Sequence, residues 1–365
     1  MAKKYFNVTG CCNPARHYMA DISGKFAQIL KMVERGDYFA INRPRQYGKT
    51  TMLNHLARHL WDQADSYMLV RLSFEGVGDA IFQEERTFSL RFVELLAGSL
   101  EHHYAAAAEQ VKQAEQAVVD LETLSRCISR FVDGVKQSVV VLIDEVDKAS
   151  NNQLFISFLG MLHDKYLNRD LEKGGTFHSV ILAGVHDVKS LKLKLRDDDE
   201  RKLNSPWNIA ADFNVDMSFS AAEIAPMLGE YARERGVTLD APLLAERIHY
   251  YTNGYPFLVS KLCKNIDEEA ADNCPDYDPK QWTLDDVDWA FRWLTRPMYT
   301  TTNFDDMIKN LENNQTLYDL IRGLAVEGEE VSAAVDNPVV SLGVSYGILA
   351  EQQGRIVISN RVYEQ

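Results

Sequence analysis

The stretch "NRPRQYGKTT" (42–51) holds the residues with the most definite chemistry. Gly48, Lys49 and Thr50 fill the second half of the G-x-x-x-x-G-K-[ST] pattern, while Arg43 stands where its first glycine belongs. Such a loop works through backbone N–H groups that wrap a β-phosphate at a helix N-terminus, where the helix dipole favours negative charge. The glycine lets the backbone approach, the lysine reaches the β- and γ-phosphates, and the hydroxyl after it goes to Mg²⁺. The first glycine serves mainly the tight turn, and Pro44 can stiffen that turn instead by fixing φ. Arg43 and Arg45 add positive charge beside the phosphates. The candidate nucleotide-binding residues are therefore Arg45, Gln46, Tyr47, Gly48, Lys49, Thr50 and Thr51.

A second group lies in "VVVLIDEVD" (139–147), an apolar run closed by Asp144 and Glu145. This is a Walker B pattern: the aspartate holds Mg²⁺ through water, and the glutamate polarises the attacking water. Asp144 and Thr50 are thus the candidate metal ligands and Glu145 the candidate catalytic residue. A G-K-T alone occurs often by chance, and an aspartate after an apolar run also caps helices. The order of the two motifs, each at the end of a strand, joins them into one reading.

The elements that must position these residues are legible from periodicity. "DYFAIN" (37–42) predicts a strand running into the loop, and Met52, Leu53, Leu56 and Leu60 predict a helix leaving it. "YMLVRLSF" (67–74), "SVVVLIDE" (138–145) and "HSVILAGV" (178–185) predict further strands, with "IAADFNVDMSF" (209–219) as a fifth. Phe88, Phe92, Leu95 and Leu96 stripe one helix between them, and Leu121, Leu124, Ile128 and Phe131 another. Continuous apolar strands alternating with helices imply an α/β fold, a parallel sheet with helices on both faces. Both loops then emerge at the carboxyl ends of neighbouring strands, where ligands bind in such sheets.

The character changes near Ser220, where "SAAE" (220–223) is a capping box and "TNGYPF" (252–257) a turn into another helix. "NCPDYDPKQW" (273–282) is a linker, after which helices near 284–295, 303–312 and 315–326 precede a hairpin turning at 352–354. The expected organisation is a nucleotide-binding core over 1–217, a helical lid over 218–275 and a winged-helix-like domain over 276–365.

The chain has 365 residues, 46% hydrophobic and 25% charged, which is ordinary for a globular protein. Its net charge of −14 argues against general nucleic-acid binding, which needs clustered Lys and Arg. An odd number of cysteines, five, with no C-x-x-C pair, argues against a disulfide framework or zinc knuckle. No segment reaches the roughly 18 apolar residues of a membrane span, and the N-terminus lacks the apolar region of a signal peptide. The expectation is a cytoplasmic protein.

"YFAINRPRQYGKTTMLNHL", "VVLIDEVDKA" and "VILAGVHDVKSLKLKLR" together resemble the AAA-like ATPases of prokaryotes. That group belongs to the additional-strand, catalytic-glutamate class of P-loop NTPases, near the STAND and archaeal ATPase groups. The resemblance runs from about Tyr5 to the hairpin. It implies ATP and Mg²⁺ as cofactors, a helical lid and a winged helix, and it admits Arg43, because members commonly begin the loop with R-P-R. It also implies three further contacts. His186 occupies the sensor position that watches the γ-phosphate, or else caps a helix with Asp187. Pro256 in "NGYPF" matches a lid motif near the nucleotide, or simply starts a helix. Tyr18 in "CNPARHYM" lies in the segment that reaches the base and would stack on adenine, or else is a packed aromatic.

Arg196 and Arg201 stand where oligomeric ATPases often place an arginine finger, and the sequence does not choose between them. His102 and His103 are adjacent and rarely share a metal on a helix. The resulting expectation is an Mg²⁺-dependent ATP-binding protein with slow hydrolysis, a switch or remodelling module working with a protein partner or by self-association. One alternative is a nucleotide-gated interaction scaffold with incidental hydrolysis. Another is a winged-helix DNA-binding regulator, which the lack of Lys and Arg in "NPVVSLGVSYG" (337–347) disfavours.

Overall fold

Runs of β-branched and leucine side chains covered on both faces suit parallel pairing, because helical crossovers bury each face of the sheet. Four such runs pair in this way: β1 (Tyr38–Asn42), β2 (Tyr67–Ser73), β3 (Ser138–Asp144) and β4 (Ser179–Gly184). Their order is β1-β4-β3-β2, all parallel, with Ile41 opposite Ala183, Val141 opposite Val180 and Val70 opposite Val141. The structure is a computed structural model that describes residues 3–74, 76, 78–146, 152–171, 174–185, 211–297, 299, 301–333 and 337–365.

Two expectations about the sheet are corrected. The strands that end at the loop and at Asp144 are not neighbours, because β4 is inserted between β1 and β3. Of the expected fifth strand, the described part (211–219) makes a single bridge, Ala211 to Phe39, through one hydrogen bond from Ala211 N–H to Tyr38 C=O. Its alternating Asp212, Phe213, Asn214 and Val215 suit a strand, but pairing stops after one rung. The Phe213 ring instead stacks on Phe39 at 5.8 Å.

The described residues form two compact units. The sheet unit comprises Ala27–Asn42 and Met52–Val215. Along the chain, α1 (Ser23–Glu34) precedes β1 and α2 (Lys49–Asp62) follows the loop; α3 (Glu85–Leu100), α4 (Ala105–Ala114) and α5 (Leu121–Asp133) separate β2 from β3. Then α6 (Gln153–Leu167) leads towards β4. The stripes on α3 and α5 meet the sheet, and Phe92 packs on Phe158 of α6 at 4.9 Å between ring centres. Asp120 caps α5 by accepting from Thr123 N–H. His102 and His103 fall in the turn between α3 and α4.

The helical unit comprises Met1–Phe26, Arg43–Thr51 and Asp216–Gln365. The N-terminal segment and the loop, which the sequence places with the sheet core, thus group with the C-terminal helices. Here α7 (Ala221–Arg235) starts at the Ser220–Glu223 capping box, and α8 (Ala241–Thr252), α9 (Pro256–Asn273) and α10 (Leu284–Leu294) complete a bundle. Phe6, Tyr18, Tyr231 and Trp282 are buried together at its centre. After it come α11 (Thr302–Glu312), α12 (Gln315–Arg322) and α13 (Pro338–Ser345). A small antiparallel sheet has the order β5-β7-β6, formed by β5 (Val331–Ser332), β6 (Leu349–Gln352) and β7 (Arg355–Ile358). The hairpin turns at Gln353 and Gly354, both left-handed, as a two-residue turn matched to strand twist requires.

Gly254 fixes the turn between α8 and α9. It lies at φ 71°, and a Cβ there would fall 2.1 Å from the Phe219 carbonyl oxygen. That close approach seats Phe219, whose N–H donates to Gly254 C=O at 2.7 Å, and it sets the direction in which Tyr255 leaves the turn.

Candidate functional site

The loop between β1 and α2 carries the first set of candidate residues. α2 begins at Lys49, so the N–H groups of its first turn, at Lys49, Thr50 and Thr51, point out of the helix end towards the loop. Gln46 at φ 57° and Gly48 at φ 81° both take the left-handed conformation. Alternation of that kind turns successive N–H groups to one side and makes an anion-binding concavity. At Gly48 the place of a side chain is open, with nothing within 4 Å of a Cβ built there. Lys49 Nζ donates to the carbonyls of Arg43 at 2.7 Å and Pro44 at 2.8 Å, folding back over its own loop. Thr51 Oγ1 accepts from Cys12 N–H at 3.1 Å, so the N-terminal segment is tied to the first turn of α2. Burial pushes the Cys12 thiol up, which keeps it protonated.

The other residues around the loop come from far along the chain. Tyr255 OH donates to Arg45 C=O at 2.6 Å, and its ring meets Tyr47 edge-on at 4.6 Å between centres. Burial holds the Tyr255 hydroxyl up at about 12, a neutral donor at any ordinary pH. Burial likewise raises Tyr47 and lowers Arg43, opposite directions for an acid and a cation that lose water. Arg45 pairs with Asp306 at 3.0 Å, and Gln46 Nε2 donates to Thr302 Oγ1 at 3.3 Å.

Pro256 is buried at the first position of α9, directly after the tyrosine that touches the loop. Tyr18 is 3% exposed, packed against Phe6 and Tyr231, with its hydroxyl accepting from Arg235 Nε at 3.3 Å. On the sheet, Asp144 closes β3 and its Oδ1 accepts from Glu145 N–H at 3.0 Å. Glu145 lies at φ 56°, a left-handed conformation unusual for a residue with a Cβ. His186, Arg196 and Arg201 lie outside the described residues.

Sequence reasoning singled out Pro256 and passed over Tyr255, Thr302, Asn303 and Asp306. For Tyr255 the signal was present, since it is the aromatic before the helix-starting proline. For the other three there was none, because each is an ordinary residue in the N-terminal half of a polar helix.

Among the described residues no group of three or more His, Cys, Asp or Glu could hold a metal. A cation at this loop would draw its ligands from phosphate and water as well as protein, which is the habit of Mg²⁺. Among the same residues, no helix is long and apolar enough to cross a membrane.

A four-stranded parallel sheet with flanking helices, a G-K-T loop after β1 and β4 inserted between β1 and β3 make up a P-loop fold. Solved structures agree. The chain is similar to a Walker-type ATPase of Pyrococcus abyssi, with a TM-score of 0.62 and 12% identity over 98% of each chain. It is also similar to the ORC2 protein of Aeropyrum pernix, solved as ADPNP–ADP complexes, with a TM-score of 0.52 and 12% identity over 97% of this chain and 91% of that one. At such identity the likeness is one of fold. No protein-family model and no curated protein matches the sequence.

Proposed function

We propose that the chain is an Mg²⁺-dependent ATP-binding protein and slow ATPase that works as a switch or remodelling module. One observation carries the reading. The loop with two left-handed residues leaves β1 and opens α2 at Lys49, while an acid pair closes β3, in a sheet ordered β1-β4-β3-β2. The loop suits phosphate: it offers helix N-terminal N–H groups, an open approach at Gly48 and a lysine whose Nζ lies over the carbonyls of its own loop. Arg45, Gln46, Tyr47, Gly48, Lys49, Thr50 and Thr51 would carry the phosphates. Thr50 and Asp144 would serve Mg²⁺, which when bound neutralises charge on the phosphates. Glu145 would orient the attacking water and take its proton. Tyr18 enters this reading as a core residue fixing the N-terminal segment, since its ring is already enclosed by aromatics. Pro256 enters through Tyr255, whose place it fixes.

Adenine is favoured over guanine because no N-K-x-D pattern follows the core. The test is titration calorimetry with ATP and Mg²⁺, followed by phosphate release. Lys49→Ala should abolish binding, and unchanged binding would sink the reading. Glu145→Gln should bind ATP normally but turn over about a hundredfold more slowly or worse.

A second reading, a nucleotide-gated interaction scaffold, draws support from the hydrogen bonds that tie α11 to the loop. Its mark would be a partner retained by Glu145→Gln only when ATP is present. The order of α11, α12, α13 and the β6–β7 hairpin supports a winged helix, with α13 in the place of its recognition helix. Without a basic residue in α13, that helix suits a protein partner or a second copy of the chain better than DNA.

A further inference from the structure

The phosphate loop is gripped from three places in the C-terminal part of its own unit. The first is α11, through Arg45–Asp306 and Gln46–Thr302. The second is the turn before β6, where a Cβ at Gly347 would come within 2.7 Å of Pro44 Cγ. The third is a hydrogen-bonded chain from the C-terminal tail. In it, Tyr363 OH donates to Asn303 Oδ1 at 2.6 Å, Asn303 Nδ2 makes a long 3.5 Å contact with Tyr255 OH, and Tyr255 OH donates to Arg45 C=O.

These grips differ in strength. Tyr255 and Asn303 are buried, and their bonds would leave unpaired polar groups if broken. The ion pair is exposed, at 70% for the Arg45 side chain and 39% for Asp306. An exposed pair is worth little and parts cheaply. The Asp306 carboxylate and a phosphate oxygen pair are also alternative acceptors for one guanidinium fork, and the phosphate carries more charge.

Resting on the nucleotide reading above, we propose that Asp306 is a positioning residue that holds Arg45 in place of phosphate, and that nucleotide binding exchanges the pair and frees the N-terminal half of α11. The tyrosine grip persists through the exchange, so the C-terminal block stays attached while one corner of it changes. Nucleotide occupancy is thereby reported at α11, and the cost of breaking the pair is taken from nucleotide affinity.

The test uses the full chain, with calorimetry of ATP and Mg²⁺ and hydrogen–deuterium exchange over residues 302–312. Asp306→Asn should bind ATP about two- to fivefold more tightly, the range for an exposed ion pair. Asp306→Glu should restore wild-type affinity, and Asp306→Asn should have no effect when Arg45 is replaced by Gln. ATP should speed exchange over 302–312 in the wild type. Asp306→Asn should show the faster exchange without ATP. Equal affinity in wild type and Asp306→Asn, an Asp306→Asn effect that survives Arg45→Gln, or exchange indifferent to ATP would each overturn the proposal. Absence of ATP binding in the wild type, or binding untouched by Lys49→Ala, would instead overturn the nucleotide reading and this inference with it.

Discussion

Of the four non-glycine residues with left-handed backbone among the described residues, two belong to the candidate machinery. Gln46 and Glu145 are left-handed at φ 57° and 56°. Each Cβ in that region costs roughly 1 kcal/mol or more, a cost retained where function needs the geometry. At Glu145 stability and activity therefore pull in opposite directions. Glu145→Gly should raise the urea midpoint by an amount equivalent to about 1 kcal/mol while abolishing phosphate release. A loss of stability would show that the Glu145 side chain holds the end of β3 rather than serving chemistry. At this scale the sequence offers candidates wherever a motif demands a residue type. Gly48, Lys49, Asp144 and Glu145 could be named from spacing alone. Asp306 could not, since nothing in "TNFDDMIKNLE" distinguishes it from a solvated helix acid.

Elements were legible where one pattern ran long enough to dominate. The run 139–143 is apolar throughout and buried throughout in β3. The stripes of α3 and α5 and the capping box of α7 likewise appear where periodicity put them. The segment after residue 209 reads as a strand because it alternates, yet alternation says nothing about whether a neighbour continues the ladder. The expected adjacency of β1 and β3 failed for a similar reason, as strand order is set by crossovers and not by local pattern. The α8–α9 turn carries the prediction at this scale. Gly254→Ala places a methyl against the Phe219 backbone with no flexible side chain to yield. It should destabilise the protein by several kcal/mol in denaturant titration, well beyond the roughly 1 kcal/mol of an ordinary left-handed glycine. Because Tyr255 follows directly, any folded fraction should also bind ATP more weakly. Normal stability and normal affinity in this variant would deny the turn its role in seating Tyr255.

For the molecule as a whole, the division into units was the least legible feature. Residues 43–51 follow a strand of the sheet unit, yet they group with helices from beyond residue 216. The contacts responsible join Arg45 to residues 210 and 261 positions away, separations that leave no trace in any local window. A ligand that binds the native loop must stabilise the native chain by mass action. ATP with Mg²⁺ at about a hundred times its dissociation constant should add about 2.7 kcal/mol, which is a few degrees in thermal midpoint for a chain of this size. Chelation of Mg²⁺ should remove most of that shift, and Lys49→Ala should show none of it. A shift that persists in the chelator would assign ATP binding here to the chain alone and remove the metal from the reading.

The tie between Arg45 and Asp306 also has a history in each molecule. On a ribosome adding about 5–20 residues per second, the 261 positions between them take roughly 15–50 s to make. Throughout that interval a nascent chain carries the loop without its acidic counterweight. On the exchange proposed above, a newly emerging loop would meet cellular nucleotide before its restraining acid exists, and the lower affinity of the finished protein would be set only as α11 is made.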